Sequence, residues 1–154
     1  MVQPDAPQCM KVNLWLSARN IIEGDWLSAS DTKCHVFLRT DDGRWDRIGK
    51  TETIDNEPNP NWTKCVTVDY YFEKRQELKF VIKDDDDNTS DDELGSTCLW
   101  LGDIVAWKTE GNDNNHFWSK FETRAKGAVA QSMLIVRAEA VRDTAEVARI
   151  AFRI

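Results

Sequence analysis

Seven glycines, four prolines, two histidines and four cysteines are all that the 154 residues contain. Each scarcity closes off a class of chemistry. Glycine this sparse leaves no phosphate-cradling loop, and no Gly-x-Ser-x-Gly occurs, so no nucleophile elbow is present. His35 and His116, with Cys9, Cys34, Cys65 and Cys98 scattered singly and lacking any CxxC spacing, do not make a zinc site. The opening MVQPDAPQCM has no apolar segment of a secretory signal. The thiols are therefore expected to stay reduced in a cytoplasmic protein, with Cys34 and Cys65 filling core, although an even count would permit two disulfides. No apolar run approaches the ~20 residues of a transmembrane segment. Bases are outnumbered, 20 Lys and Arg against 27 Asp and Glu, and a net charge of −7 does not attract nucleic acid. With no catalytic set in view, the chain is not expected to be an enzyme.

The hydrophobic content of 41% and seven tryptophans indicate one folded domain. Its period is two. Val12, Leu14, Leu16 and Ala18 alternate with Lys11, Asn13, Trp15 and Ser17, the pattern of a half-buried strand. Further strands are expected at Cys34–Thr40, Arg44–Ile54, Cys65–Tyr71, Leu78–Lys83, Leu94–Trp100, His116–Glu122 and Ser132–Glu139. Asp41-Asp42-Gly43-Arg44 marks a hairpin turn, and Glu73–Glu77 has room for one helical turn. Eight evenly spaced strands predict an all-β, eight-stranded antiparallel sandwich. Residues 1–10 read as a lead-in, 11–140 as the domain and 141–154 as a tail, in which Ile150, Phe152 and Ile154 alternate as in a strand. Trp15, Trp100 and Trp118 read as core or edge aromatics, and Trp62 as a packing residue.

Against this background five carboxylates stand out. Asp25 and Asp31 are spaced Asp-x5-Asp, and Asp84, Asp86 and Asp92 are spaced Asp-x-Asp-x5-Asp. Residues 84–93 alone carry seven acids and no base. Crowded carboxylates repel one another unless a hard cation neutralises them, and calcium accepts six to eight oxygens at flexible angles. If the strands run up and down, the segments after the first, third and fifth emerge at one end, which brings both clusters to a common rim. An EF-hand over Asp84–Asp92 fails, because its sixth position is Thr89 rather than glycine and its twelfth is Gly95 rather than glutamate. A solvated acidic loop is the plain alternative for the run Asp84–Asp87.

The Asp-x5-Asp of loop one, Asn59-Pro60-x-Trp62 of loop two and Asp84-x-Asp86-x5-Asp92-x-x-Gly95 of loop three together resemble, in order and spacing, the C2 domains of synaptotagmins, protein kinase C and copines. The stretches Val68-Asp69-Tyr70-Tyr71-Phe72-Glu73 and Leu134-Ile135-Val136-Arg137-Ala138-Glu139 are most similar to the first C2 domain of a copine. A first strand running straight into loop one, with a spare late strand, resembles the permuted, type II strand order. The resemblance implies that Asp25, Asp31, Asp84, Asp86 and Asp92 coordinate calcium, helped by backbone carbonyls of Trp26 and Asp85, with Thr89 at the place of an extra hydroxyl ligand. The family's Ser-Asp-Pro-Tyr is Ser30-Asp31-Thr32-Lys33 here, and losing the proline is expected to loosen that turn. The copine likeness also implies that the tail begins a following C2 domain.

The implied function is calcium-dependent binding to anionic phospholipid such as phosphatidylserine, with recruitment from the cytoplasm to the plasma membrane. Trp26 and Leu27 are the candidates for interfacial contact, although Trp26 fits equally against a neighbouring loop. The polar Asn88-Thr89-Ser90 tip predicts shallow, salt-sensitive docking. Relatives bind phosphoinositides on a basic concave face, and Lys33, Arg39, Arg47, Lys50 and Lys64 fall in that region, diluted by Asp46 and Glu52. A mixed solvated face is the favoured expectation there. The alternative function is a calcium-independent protein–protein interaction module.

Overall fold

In the computed structural model the alternation at Val12–Ala18 becomes the inward face of strand β1 (Cys9–Arg19), which buries Val12, Leu14, Leu16 and Ala18. The structure describes residues 9–22, 31–85, 92–109, 116–125 and 127–141. The remaining strands are β2 (Thr32–Arg39), β3 (Trp45–Lys50), β4 (Val66–Tyr71), β5 (Glu77–Asp84), β6 (Asp92–Trp100), β7 (His116–Ala125) and β8 (Ala128–Ala140). All eight expected strands are present. They form two antiparallel four-stranded sheets, ordered β4-β1-β8-β7 and β3-β2-β5-β6. The first and last strands are neighbours, with Leu16 opposite Val136. This is the permuted order expected from the sequence.

The inner faces meet over Leu14, Leu16, Val68, Leu134 and Val136 from one sheet and Cys34, Val36, Leu78, Phe80 and Ile82 from the other. The period of two supplies both inner faces, because alternate side chains of a strand point the same way. At Gly95 of β6 the two sheets come so close that an added Cβ would lie 2.4 Å from the Glu122 carbonyl oxygen of β7.

Several expectations are corrected. β1 begins at Cys9, inside the supposed lead-in, because Cys9 and Met10 pair with Tyr71 and Tyr70 of β4. Glu73–Glu77 is not helical. The Lys74 amide closes a turn onto the Tyr71 carbonyl, the Gln76 side chain bridges the Tyr71 amide and the Asp69 carbonyl, and Glu77 already opens β5. A helix, α1 (Leu101–Thr109), joins β6 to β7, burying Leu101 and Ile104 one turn apart. Its short apolar stretch had no polar stripe to mark a helical period. Of the three tryptophans expected in the core or at an edge, Trp100 and Trp118 are edge residues as expected, and Trp15 is neither. Trp15 is half-buried on an outer face beneath the Arg137 guanidinium at 5.5 Å, and Trp100 and Trp118 are exposed on edge strands. Cys34 is buried as expected, whereas Cys65 is half-buried and Cys9 and Cys98 are exposed; all four are free thiols. The tail from residue 142 lies outside the described residues.

Candidate metal-binding rim and basic face

Three connections leave the sandwich at the same end: loop one between β1 and β2, loop two between β3 and β4, and loop three between β5 and β6. Backbone bonds tie loop two to the strands on either side of loop one. The Ala18 and Ile21 amides donate to the Pro60 and Pro58 carbonyls at 3.0 and 2.9 Å, and Thr32 and Ile54 exchange a pair at 3.0 and 2.9 Å. Asn59 adds its side-chain oxygen to the Asn20 amide at 2.9 Å. Asn20 and Asn56 both take positive φ, a conformation asparagine tolerates where the chain must turn sharply.

Loops one and three meet through their acids. The Asp31 amide donates to Asp84 Oδ1 at 3.0 Å, and the Asp85 amide donates to the Asp31 carbonyl at 2.7 Å. Asp31 Oδ1 accepts the Asn56 amide at 2.9 Å, which brings loop two into the same knot. Asp84 ends β5 opposite Asp92, which opens β6, with Thr32 on its other side. Thus the structure gathers Asp31, Asp84 and Asp92 at one rim. Asp25, Asp86, Trp26, Leu27 and Thr89 lie outside the described residues. Among the described residues no group of three or more His, Cys, Asp or Glu side chains is arranged to hold a metal ion. Asp85 differs from its neighbours: its carboxylate accepts the Thr53 hydroxyl at 2.8 Å and pairs with Lys33 Nζ at 3.5 Å.

Thr32 stands where the family's turn carries proline. Its amide makes the bond to Ile54 that a proline could not donate, so loop two replaces the ring as the restraint. Trp62, fully packed in the core as expected, donates its indole N–H to the Thr32 carbonyl at 3.1 Å. The Thr32 hydroxyl itself is buried without a partner. An unmatched buried hydroxyl is unfavourable, so Thr32→Val is expected to stabilise the domain by about 0.5–1 kcal/mol and raise the melting temperature by about 1–4 °C. A calorimetric melt checks this, and a lower melting temperature would show that the hydroxyl is satisfied in solution.

The basic residues expected on a strand face fall into two groups. Lys33, Arg39, Arg47 and Lys50 belong to β2 and β3. Lys64 does not join them: it lies in loop two, where its amide and that of Thr63 bind the Glu52 carboxylate. Partial burial raises the Glu52 carboxyl, but the Thr63 hydroxyl, which donates to it at 2.6 Å, and these two amides together hold it below its usual range. Lys79 and Lys83 of β5, missed in the sequence, complete the face, because β5 pairs with β2. Their alternation with Leu78, Phe80 and Ile82 was visible, but which strand lay beside β2 was not. Asp46 stands opposite the inward Leu38 and so does not belong to this face. Arg39 binds Glu77 at 3.0 Å, and both Arg39 and Lys79 lie over the Trp45 ring.

At the centre sits His35, on the same side of β2 as Phe37, whose ring stacks with it at 6.4 Å. It is only 6% exposed, and its Nε2 has no hydrogen-bond partner. Burial first, and then Lys83, Arg47, Lys33 and Lys50, lower its pKa from 6.5 to about 4. A folded value below the unfolded one means that the unfolded chain binds the extra proton. Stability is therefore fully present above about pH 6.5 and is lost as pH falls towards about 4. The expected loss is about 1–2 kcal/mol once solvent screening is allowed for. Urea unfolding at pH 7.5 and 4.5 checks this, with His35→Gln expected to lose less stability between the two pH values than the native chain.

The C2 domain family model matches residues 11–120. The chain belongs to the C2 domain family. Among curated proteins, this C2 domain is 41% identical over 100 residues to Copine-A of Dictyostelium discoideum, covering 65% of the chain and 16% of Copine-A. It is 34% identical over 105 residues to Copine-E of the same organism, covering 64% of the chain and 18% of that protein. The chain thus spans less than a fifth of the length of either relative. Among solved structures, the calcium-bound tandem C2 domains of Extended-Synaptotagmin 2 share the fold with a TM-score of 0.58 at 18% identity, covering 90% of the chain and 47% of that structure. Among the described residues no helix is long and apolar enough to cross a membrane.

Proposed function

We propose that this C2 domain is a non-enzymatic, calcium-dependent module that docks on anionic phospholipid, phosphatidylserine among them, and carries its parent protein from the cytoplasm to the plasma membrane. The observation that supports this most is the hydrogen bond from the Asp31 amide to the Asp84 carboxylate, which joins the two acidic clusters. The donor set is all oxygen, as a hard cation requires. Asp25, Asp31, Asp84, Asp86 and Asp92 would hold the ions, with the backbone carbonyls of Trp26 and Asp85 and the Thr89 hydroxyl completing the shell. Bound calcium would invert the sign of the rim and leave coordination positions open to a lipid phosphate or carboxylate. Asp31 contributes twice, since its amide and one carboxylate oxygen fix loops three and two while its charge faces the rim. Lys33 offsets Asp85 and so limits the repulsion that the apo rim must bear. Trp26 and Leu27 would touch the interface.

The test is sedimentation with phosphatidylserine vesicles at graded calcium and salt, beside calorimetric titration with calcium. Binding that needs calcium and weakens as salt rises is expected. No heat and no thermal shift at millimolar calcium would instead identify a calcium-independent protein-interaction module. Binding unaffected by salt but abolished by Trp26→Ala would replace electrostatic docking by insertion.

A further inference from the structure

β7 and β8 continue past the end of β1. Arg19, the last residue of β1, stands opposite Met133, and the Asn20 side chain then donates to the Gln131 carbonyl at 2.8 Å. Beyond the Glu122–Gln131 pair three more rungs follow: Thr123 with Ala130, Arg124 with Val129, and Ala125 with Ala128. The hairpin thus runs about 10 Å further, at the end where loops one, two and three leave the sandwich. Gly127 takes positive φ at its turn.

This tip is unlike the acidic rim beside it. Residues 123–131 hold two bases and no acid. Val129 is 54% exposed, Gly127 and Ala128 are exposed as well, and Arg124 stands beside Val129 on the same face. Arg124 pairs with Glu122 at 2.9 Å, but both side chains are more than half exposed, so that pair is worth little. On the opposite face Ala130 lines a cleft of about 340 Å³, with Ile22, Pro58 and Asn59 across from it. The hairpin is braced from below. The Thr123 hydroxyl accepts the Ile22 amide at 2.9 Å and lies 2.7 Å from the Ser132 hydroxyl, which donates to the Asn20 carbonyl at 2.7 Å. Ser132 has one proton to give, so Thr123 supplies the bond between the two. Both hydroxyls are buried, and they clamp the start of loop one to the hairpin. One exposed valine is common on any surface. Held out on a braced, acid-free tip, it gains nothing in water but can enter an apolar layer.

On the basis of the calcium-dependent docking proposed above, we infer that the β7–β8 hairpin is a fourth membrane-contacting element, in which Val129 enters the headgroup layer and Arg124 exchanges Glu122 for a lipid phosphate. Without calcium the acids of the rim hold an anionic surface away, and the hairpin's few cations do not overcome them. Once the rim is neutralised, the clamp at Ile22 brings hairpin and loop one to the surface as one body. The cleft beside Ala130 leaves room for a headgroup between hairpin and loop two.

The probe is a vesicle of phosphatidylserine and phosphatidylcholine at saturating calcium. Val129→Asp is expected to weaken pelleting about tenfold, because an acid replaces an apolar contact at an anionic surface. Val129→Phe is expected to strengthen it about threefold. Arg124→Ala is expected to weaken it about fivefold at low salt and hardly at all at high salt. Both positions are exposed, so melts are expected to stay within about 2 °C of the native chain, and calcium titrations without vesicles to be unchanged. Where a variant melts lower, a polarity-sensitive dye on Val129→Cys decides, in a chain that carries Cys9→Ser, Cys65→Ser and Cys98→Ser. Its emission is expected to move to shorter wavelength only when calcium and vesicles are both present. No such shift while the native chain pellets, or pelleting unmoved by Val129→Asp and Val129→Phe alike, overturns the hairpin contact and leaves calcium docking intact. A native chain that does not pellet with calcium removes the docking itself, and the hairpin contact with it. A native dimer in ultracentrifugation that Val129→Asp splits would assign the tip to a second copy and overturn the lipid contact.

Discussion

Calcium-dependent pelleting with phosphatidylserine vesicles is expected to weaken by about a hundredfold when Asp84 and Asp92 are both replaced by asparagine. Each substitution removes a full negative charge from the rim while keeping the shape of the side chain. The fold should survive, because the amide of Asp84→Asn would keep an oxygen at the position where Asp84 Oδ1 now accepts the Asp31 amide at 3.0 Å. Losing two charge-assisted contacts at about 1.5–3 kcal/mol each amounts to two orders of magnitude or more in affinity. The measurement is the half-maximal calcium concentration for sedimentation, taken beside a thermal melt without calcium. In the absence of the ion the variant should melt no lower than the native chain, since relieving repulsion between Asp84 and Asp92 favours the folded state. A double variant that pellets like the native protein would reject the rim as the calcium site.

The second large effect concerns packing. Gly95 ends the acidic motif of loop three, and nothing about a metal requires it. Its Cα instead faces the other sheet, where a Cβ would lie 2.4 Å from the Glu122 carbonyl oxygen and 3.1 Å from the Thr123 methyl. The obstruction is backbone of β7, which cannot rotate aside as a flexible side chain would. Gly95→Val is expected to cost about 3 kcal/mol by forcing β6 and β7 apart, and to lower the melting temperature by about 6–12 °C. The Thr97–Ser119 hydroxyl contact at 3.2 Å, two residues further along β6, would be lost with it. Calorimetry reads the melting temperature directly. An unchanged melt would mean that the two edges do not close at Gly95 in solution. Because Asp92 lies three residues away, the variant should also weaken calcium docking, though less than the double asparagine substitution does.

These two results distinguish two reasons for a residue to recur in one motif. In the proposed rim Asp92 would serve by its charge, whereas Gly95 is placed by space, and spacing along the chain does not separate them. The same holds within the run Asp84–Asp87. As sequence, its members are equivalent acids. In the structure Asp84 turns to the Asp31 amide, whereas Asp85 turns to Thr53 and Lys33. Which carboxylate serves the rim and which braces the loop depends on the neighbouring strand, and that neighbour lies some fifty residues away in the chain.

The chain's own alternation determined the eight strands and the two-layer packing, because inward side chains two residues apart must be apolar whatever the sheet order, whereas the place of β1 beside a late strand was expected only from the family resemblance. The charge spacing likewise singled out Asp31, Asp84 and Asp92, which the structure brings to one end of the sandwich. Sheet order, by contrast, was decided in three dimensions. Pairing of β5 with β2 added Lys79 and Lys83 to the basic face and enclosed His35, while the turn onto Glu52 drew Lys64 away. The helix α1 arose from the need to cross between sheets with Leu101 and Ile104 buried, and the tie from Thr32 to Ile54 took over from an absent proline. Alternation is a local property that each strand carries alone, whereas burial of a titratable group and the choice of its partners belong to surfaces that exist only after distant strands have met.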